Sequence, residues 1–262
     1  MQVTTASTGL FCSPEGSLET ELLFGETFEI ERHEGEWVYG TASIDGYRGY
    51  LRAAHLTSNV RIPTHRVSAA HTVAYRDPNF KSGRMAELHM NALVAAAPDP
   101  GSRIETPEGS MVRDARIGWI FEDQLRPIAQ FAPDYVAEAL KFVGTPYEWG
   151  ARSGSVDCSA LIQAAFLAAG MIVPRDCIPQ STLVGLPVTG ANPASLGRRR
   201  GDLVFWTEGK GRHVALMIDG GRCVHATIAP PHRTTLVQSL QEVIEEQLRD
   251  GNGLPTLVRR VL

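Results

Sequence analysis

The sequence lacks several features that mark particular classes of protein. It has no apolar stretch near the ~20 residues of a membrane span and no long run of charges of one sign. Its 25 basic and 29 acidic residues give a formal net charge of -4, so it carries no electrostatic footprint for nucleic acid or an anionic membrane. Met1 to Leu10 is polar, with no Lys or Arg ahead of an apolar run, unlike a signal peptide. We therefore expect a cytoplasmic protein with neither nucleic-acid nor membrane partners.

Cysteine is also scarce, and none of the cysteines forms the close-spaced pair that zinc modules use. The four are Cys12, Cys158, Cys177 and Cys223. In a reducing cytoplasm they need not be disulfides, so one can be catalytic while the others pack as small residues. Nothing in the sequence indicates a cofactor or a metal. The oligomeric state is not legible from the sequence.

The composition, 43% hydrophobic and 21% charged, is typical of a globular chain, and 262 residues suffice for two or three domains. Residues 1–60 break into short strand-like pieces separated by turn residues such as Glu34-Gly35 and Asp45-Gly46. The order Leu-Phe-Gly-Glu, Gly-Glu-Trp, Asp-Gly-Tyr-Arg-Gly-Tyr resembles a bacterial SH3-like domain. That resemblance implies a small barrel in which the Trp strand faces the closing Gly-Tyr strand.

Residues 61–128 read as a second all-β stretch and resemble a weaker copy of the first. The piece from Ser110 to Asp114, followed by Trp119, mirrors the Asp-Gly-Tyr-Arg-Gly-Tyr strand. We predict a second SH3-like barrel here.

The periodicity changes in residues 129–262. Asp134 can cap a helix that ends by Gly144, and a second helix begins at Cys158 and stops at Gly170. Strands then return at Leu203–Trp206, Val214–Ile218 and Cys223–Ala226. Helices followed by a sheet predict an α+β domain, so the fold class is α+β with two small all-β domains in front.

Cys158 is the residue around which this last domain is organised. A cysteine in the first turn of a helix lies beside unpaired N–H groups and the positive end of the helix dipole, which favour the thiolate. The alternative is a buried structural cysteine, since free cysteine is among the most buried residue types.

A thiolate that attacks an amide needs a base, and histidine is the usual one near neutral pH. His213 opens one apolar strand and His225 lies on the next, with the hairpin signal Asp219-Gly220-Gly221 between them. Because 213 and 225 are equidistant from Asp219, a hairpin centred there puts both imidazoles on one face, where one can orient the other. The alternative for each is a structural histidine.

Several motifs of the last half of the chain resemble, in order, those of the NlpC/p60 cysteine peptidases. They are Asp157-Cys158-Ser159, Pro174-Arg175-Asp176 with Gln180, Gly201-Asp202-Leu203-Val204-Phe205-Trp206, His213-Val214-Ala215 and Val224-His225-Ala226. The family usually has Gly where Ala160 stands, and a small residue still fits. The resemblance implies a papain-like NlpC/p60 catalytic domain with Cys158 as nucleophile, His213 as base and His225 as its partner.

The resemblance also implies a substrate class, the peptides of the bacterial cell wall, cut between γ-D-glutamate and a diamino acid such as meso-diaminopimelate. SH3-like barrels and Pro-Arg-Asp resemble the members that trim free peptides with an N-terminal L-alanine. An ammonium group entering a closed cleft needs a carboxylate, because burying it unpaired is costly, and Asp176 is the candidate. The other substrate-binding residues implied are Tyr147, Trp149, Asp157, Ser159, Arg175 and, from the first barrel, Glu26 and Tyr50.

Three other functions stay open from the sequence. One is an endopeptidase for intact peptidoglycan, and another is a wall-peptide binding protein whose papain-like half is inactive. The third is acyl transfer or amidase chemistry on another amide. Asp176 can also be a loop carboxylate paired with Arg175 or a backbone N–H, and Tyr147 and Trp149 can be simple packing residues.

Overall fold

The computed structural model describes residues 1–188, 198–209 and 211–261. The chain divides into two compact units, Met1–Phe131 with Arg152–Gly154, and Ala132–Ala151 with Ser155–Leu262. Both predicted β domains fall in the first unit, and its further division at residue 60 stays a prediction. The second unit corresponds to the predicted α+β domain.

The first unit, all of whose residues are described, consists of strands and two single-turn 3₁₀ helices, Ala53–His55 and Glu122–Gln124. The strands are β1 Gln2–Val3, β2 Ser7–Phe11, β3 Leu18–Leu23, β4 Phe28–Glu34, β5 Trp37–Ala42, β6 Arg48–Arg52, β7 Leu56–Thr57, β8 His65–Val67, β9 His71–Tyr75, β10 Arg84–His89, β11 Leu93–Val94, β12 Arg103–Thr106, β13 Gly109–Asp114, β14 Gly118–Phe121 and β15 Leu125–Pro127. The predicted facing of the Trp and Gly-Tyr strands is confirmed, because β5 pairs with β6 and Tyr39 lies opposite Tyr50.

An internal repeat is plain in the strand order. The first five-stranded sheet runs β3-β2-β6-β5-β4 and the second runs β10-β9-β14-β13-β12, so the strands correspond one to one. A 3₁₀ turn follows β6 in the first copy and β14 in the second. A short strand then pairs with the strand that opens the copy, β7 with β1 and β15 with β8. This correspondence supports the interpretation of the second stretch as a copy of the first.

Each copy has its own apolar core. The first core contains Leu10, Phe28 and Val38, and the second contains Val67, Leu88 and Ile120. Leu23 and Phe24, at the end of β3, belong to the second core although they lie in the first copy. Gly25 allows this because its φ is +80° and a Cβ there would lie 2.2 Å from the carbonyl oxygen of Leu93.

The second unit has an antiparallel sheet in the order β16-β21-β17-β18-β19-β20. Its elements are α1 Tyr135–Leu140, α2 Cys158–Ala168, α3 Cys177–Leu183, β16 Leu186–Pro187, β17 Leu203–Trp206, β18 His213–Met217, β19 Arg222–Thr227, β20 Thr234–Ser239, α4 Leu240–Arg249 and β21 Leu257–Arg260. The predicted helices and the three predicted strands are therefore confirmed, although α1 stops at Leu140, before the exposed Val143. No helix within the described residues has the length and apolar composition that crossing a membrane requires.

Two helices cover this sheet. Helix α2, which α1 contacts, packs against β18 and β19. Helix α4 buries Leu240 and Val243 in a core with Trp206, Ala215 and Met217 of the sheet. Because side chains alternate along a strand, His213 shares the face of Ala215 and Met217, which is the face that α4 covers.

Candidate active site

Cys158 is the first residue of α2. Asp157 caps the helix, with its side chain accepting a hydrogen bond from the backbone N–H of Ala160 at 2.8 Å. All but one of the eleven residues of α2 are buried, which explains the apolar, alanine-rich sequence that follows the cysteine. Cys158 itself is 5% exposed, so its thiol lies at the edge of the core.

The sulfur of Cys158 lies against the start of β18. Its Sγ is 4.0 Å from the carbonyl oxygen of Arg212 and receives a hydrogen bond from the backbone N–H of Val214. The two contacts come from the residues on either side of His213. The fold therefore brings the predicted nucleophile to the predicted base, although they are far apart in the sequence.

The thiol of Cys158 is neutral at ordinary pH. Burial raises its pKa to about 12, and the nearby Asp157 carboxylate raises it further. Backbone N–H groups of Val214 and Ser159 and the Arg175 guanidinium oppose this shift without reversing it. The expectation that the helix N-terminus yields a thiolate is therefore wrong for the isolated thiol, because desolvation outweighs the helix terminus.

His213 and His225 lie side by side on the predicted hairpin, with His213 Nε2 2.9 Å from His225 Nδ1. The register pairs Leu216 with Val224 and Met217 with Cys223, so the hairpin is centred on Gly220 and not on Asp219. The two histidines are consequently diagonal neighbours on one face and not directly opposite. The predicted contact between the imidazoles is confirmed, and the predicted centre is corrected by one residue.

Both imidazoles are held neutral. Burial lowers the pKa of His213 well below 6.5, and the neighbouring His225 lowers it further. Burial also lowers the pKa of His225, while the hydrogen bond from its Nε2 to Gln238 Oε1 at 2.7 Å and the Glu246 carboxylate oppose the shift. Within the described part of the chain, His213 Nδ1 makes no hydrogen bond, and a neutral imidazole with a lone pair there can accept a proton from the thiol.

Asp157, Ser159 and Arg175 form a buried cluster. Arg175 donates to both carboxylate oxygens of Asp157, at 2.9 and 2.6 Å, and to Ser159 Oγ at 3.0 Å. The Asp157 carboxylate also accepts from the backbone N–H of Gly150 at 2.9 Å. The structure thus joins three predicted substrate-binding residues through contacts within the fold, and their contact with substrate stays a prediction.

Tyr147 and Trp149 lie on the loop before α2. Tyr147 is half-buried, and burial raises the pKa of its hydroxyl, with Cys158 and Asp157 close enough to add to the shift. It is therefore near the sulfur, and its predicted contact with substrate stays a prediction. Trp149 is 66% exposed, so the alternative that it simply packs over the catalytic helix is wrong.

Asp176 occupies the N-cap position of α3 without making a side-chain cap hydrogen bond. It is half-exposed and interacts electrostatically with Arg175 and Cys177. Burial raises the pKa of the Cys177 thiol, and Cys158 is the next contributor, so α3 begins close to the nucleophile. Asp176 therefore combines proximity to the site with partial exposure.

Glu26 and Tyr50 lie in the first unit and have partners there. Glu26 is 2% exposed and pairs with Arg152, whose Nη2 is 3.0 Å from Glu26 Oε1, and it also accepts from the backbone N–H of Leu23 at 2.9 Å. The hydroxyl of Tyr50 accepts from Arg32 and lies 3.3 Å from Glu34. Their predicted place in the substrate pocket stays a prediction.

Two polar residues near the histidines were not singled out from the sequence. Gln238 lies on β20, and Glu246 lies on α4 with 8% exposure. Ser239-Leu240-Gln241-Glu242 forms a capping box and is the pattern that would have located α4 in the sequence. No group of three or more His, Cys, Asp or Glu residues suited to a metal ion occurs in residues 1–188, 198–209 and 211–261.

Comparison with family profiles identifies two regions. The profile described as the NlpC/P60 family matches residues 144–246, and the profile described as the bacterial dipeptidyl-peptidase SH3 domain matches residues 10–56. Cys158, His213, His225 and Gln238 all lie within the first match. Glu26 and Tyr50 lie within the second.

Several relatives match most of the chain. The γ-D-glutamyl-L-lysine dipeptidyl-peptidase of Bacillus subtilis is 27% identical over 80% of this chain and 72% of its own length. The enzyme of the same name from Bacillus cereus is 25% identical over 94% of this chain and 78% of its own. Among solved structures, an NlpC/P60 family protein from Bacillus cereus covers 99% of this chain and 98% of its own with a TM-score of 0.76 and 21% identity, which shows a shared fold.

Proposed function

The chain belongs to the NlpC/P60 family of cysteine peptidases, and we propose that it hydrolyses the bond between γ-D-glutamate and a diamino acid in free cell-wall peptides that begin with L-alanine. The observation that carries the proposal is the contact of His213 with His225 at 2.9 Å beside the sulfur of Cys158. Relatives named for cleavage of γ-D-glutamyl-L-lysine support the choice of bond.

In the proposed reaction Cys158 Sγ attacks the side-chain carbonyl carbon of D-glutamate while His213 Nδ1 takes the thiol proton. Since burial disfavours both the lone thiolate and the lone imidazolium, the two charges arise together as a close pair. The oxyanion of the tetrahedral intermediate accepts hydrogen bonds from the backbone N–H groups at the very start of α2, before Ala160, whose N–H is already bonded to Asp157. Collapse breaks the amide bond, and the imidazolium of His213 protonates the leaving amine of the diamino acid.

The second half of the reaction releases the dipeptide. A water molecule gives a proton to His213 and attacks the thioester, and the breakdown of that intermediate returns the proton to the Cys158 sulfur. His225 holds His213 through the Nε2 to Nδ1 contact, which keeps the base oriented in both halves. The products are L-alanyl-D-glutamate and the diamino acid with any residues attached to it.

Asp176 is the proposed partner of the substrate's free ammonium group. It is half-exposed near the start of α3, close to the nucleophile, whereas the Glu26 carboxylate is only 2% exposed. Tyr147 and Trp149 would form apolar walls of the same cleft, one half-buried beside the sulfur and the other largely exposed. A carboxylate that binds an ammonium would exclude N-blocked peptides, because their amide carries no charge to offset its desolvation.

The direct test compares four peptides: L-Ala-γ-D-Glu-L-Lys, L-Ala-γ-D-Glu-meso-diaminopimelate and the N-acetylated form of each. We expect cleavage of the free peptides and a loss of at least about tenfold in kcat/KM on acetylation, since one buried charge contact of ~1.4 kcal/mol or more is removed. Equal cleavage of free and acetylated peptides would show that the enzyme does not require a free N-terminal amine. The ratio between the two free peptides identifies the preferred diamino acid.

The Asp176→Asn variant tests the ammonium partner. We expect a higher KM for the free peptides and a smaller difference between free and acetylated substrates, because the amide no longer offers a charge. Asp219→Asn is the matched control, since Asp219 is an exposed hairpin carboxylate that bonds to Arg222. An unchanged preference for the free amine in Asp176→Asn would assign the amine site to another residue.

An endopeptidase acting on intact peptidoglycan is the second candidate. Relatives that match less than half of this chain support it, among them the peptidoglycan endopeptidase RipB of Mycobacterium tuberculosis, 28% identical over 46% of this chain and 56% of its own length. Clearing of an insoluble peptidoglycan suspension, with no preference for free peptides, would favour this activity over the first.

The Cys158→Ala variant separates the enzyme from a binding protein. It should abolish turnover while retaining affinity for the peptide, because it removes the nucleophile and leaves the rest of the cleft. Cys223→Ala is the matched control, since it removes another buried thiol, on strand β19 of the same unit, and should keep turnover. Turnover that survives Cys158→Ala would disprove the proposed mechanism.

A further inference from the structure

We propose that Glu246 and Gln238 are positioning residues that set the direction of the hydrogen-bond chain through His225, and thereby keep the lone pair of His213 on Nδ1, the nitrogen that takes the thiol proton in the proposed reaction. The chain runs from the Glu246 carboxylate through the Gln238 amide to both imidazoles. This inference rests on the proposed function only where turnover is its readout. The tautomers of the two histidines can be measured whether or not a substrate is cleaved.

Four groups stand in line. Gln238 Nε2 donates to Glu246 Oε1 at 2.9 Å, and Gln238 Oε1 is 2.7 Å from His225 Nε2. His225 Nδ1 is 2.9 Å from His213 Nε2. This hydrogen-bond chain therefore starts at Glu246 on α4, passes through Gln238 on β20 and His225 on β19, and ends at His213 on β18.

The carboxylate decides the direction because it is the one member that can only accept. Glu246 Oε1 requires the N–H₂ end of Gln238, so the carbonyl end of Gln238 must face His225. A carbonyl requires His225 to carry its proton on Nε2, which leaves Nδ1 as an acceptor. His213 must then donate from Nε2, and its own lone pair is on Nδ1.

Because these groups are buried, reversing the direction of the hydrogen bonds would leave a polar group unpaired and would be costly. His225 is 0% exposed and Glu246 is 8% exposed, so water cannot readily replace a mismatched partner. A reversed chain would set the Gln238 carbonyl against the Glu246 carboxylate. His232 also lies at this point, with Nε2 3.4 Å from Glu246 Oε1 and 3.5 Å from Gln238 Nε2.

The Glu246→Gln variant removes the directing charge and keeps the shape. An amide at 246 can either accept a hydrogen bond from Gln238 or donate one to it, so the hydrogen bonds from residue 246 to His213 can then run in either direction with every partner paired. We expect a second set of imidazole signals with the proton on Nδ1, and a fall in kcat of at least about twofold with an unchanged KM. Glu245→Gln is the control, since it removes an exposed carboxylate on α4 that accepts a hydrogen bond from Gln241.

Two further variants force the chain in opposite directions. In Gln238→Glu with Glu246→Gln, the carboxylate moves one step along the chain and accepts from His225, so the original direction is restored. We expect kcat and the Nε2–H tautomers to return toward those of the unmodified protein. In Gln238→Lys, an ammonium donates to both Glu246 and His225, which reverses the chain, and kcat should fall about 100-fold, the scale of losing a general base.

The measurements are kcat and KM for the tripeptide and two-bond ¹H–¹⁵N spectra of the imidazoles. Support requires Nε2–H at both histidines in the unmodified protein and in the double variant, and Nδ1–H in Glu246→Gln. A tautomer pattern and kcat that do not change in Glu246→Gln would overturn the proposal, as would loss of kcat in the double variant with its tautomers intact. If Gln238→Lys does not fold, the two shape-conserving variants decide alone.

Discussion

Two polar networks meet at Cys158, and they are built on opposite principles. The Asp157 carboxylate accepts from Arg175, Ser159 and two backbone N–H groups, so its network closes on itself. The network of His213 and His225 is a line, anchored at Glu246 and open at the His213 end. The closed network contains a charged pair, whereas both imidazoles of the open one are kept neutral by burial.

The difference separates two tasks. A closed network of charged groups fixes where atoms lie, here the loop around Gly150 and the start of α2, because each donor finds its acceptor only in one geometry. An open chain of neutral imidazoles and an amide, anchored on the Glu246 carboxylate, fixes where protons lie, and its free end is where a proton can be received. Breaking the first network should therefore cost stability, and breaking the second should cost rate.

The largest expected effect is on rate, in the His213→Ala variant. We expect kcat to fall by about 10²- to 10⁴-fold, because the thiol loses the group that takes its proton. The free energy of unfolding should change much less than the activation free energy that corresponds to this fall in kcat. His33→Ala, at an exposed position of β4, is the control and should leave kcat unchanged. Retained activity in His213→Ala would transfer the role of base to another residue.

The largest expected effect on stability is in Arg175→Met, which leaves the Asp157 charge buried without its main partner. The free energy of unfolding should fall by about 3–5 kcal/mol, measured by urea denaturation. The double variant Asp157→Asn with Arg175→Met should recover part of this loss, because no charge then remains buried.

The exposed ion pair of Arg222 and Asp219 is the matched control for that experiment. Its side chains are 63% and 41% exposed, so Arg222→Met should cost less than ~1 kcal/mol. Equal losses for Arg175→Met and Arg222→Met would show that the closed network does not hold the fold.

The sequence predicts the contacts between residues that are close in the chain and does not predict those between distant residues. The capping role of Asp157 and the helix at Cys158 are local, so they are legible from composition and spacing. The contact of His213 with His225 needs only a hairpin, which the sequence indicates. The predicted centre of the hairpin is wrong by one residue, because the sequence Asp219-Gly220-Gly221 does not specify which residue stands at the tip of the turn.

The remainder could not be predicted because it depends on distant chain segments and on burial. Gln238 and Glu246 reach His225 only because α4 folds back on the sheet, and although the sequence of α4 shows an apolar face, it does not indicate which part of the sheet that face covers. The raised pKa of Cys158 could not be derived from the sequence, because the helix N-terminus is a local property, whereas desolvation is set by the whole core. Arg152, whose guanidinium pairs with Glu26, likewise gives no sequence signal of its partner.

The protonation state of the thiol sharpens the contrast between the networks. With a pKa of about 12, Cys158 is a thiol at pH 7, and ionisation becomes appreciable only as the pH rises toward that value. In a Cys12→Ser background, which removes the exposed cysteine, alkylation of Cys158 by iodoacetamide should be slow at pH 7 and should rise steadily above pH 9. Mass spectrometry of the modified peptide measures the rate. A plateau of fast alkylation at pH 6–7 would instead indicate a preformed thiolate–imidazolium pair.

The smallest expected effect concerns the N-cap of α4, the helix that carries Glu246 at the start of the hydrogen-bond chain. Ser239 caps α4 and shares a capping box with Glu242, and the helix carries Glu246 one turn further on. Ser239→Ala should lower the free energy of unfolding by about 1 kcal/mol, the usual contribution of a cap. Leu240 and Val243 still pack against the sheet, so Glu246 keeps its place and kcat should stay within about twofold of the unmodified protein. A loss of kcat as large as that in Gln238→Lys would mean that the cap, and not the apolar face of α4, holds the carboxylate against Gln238.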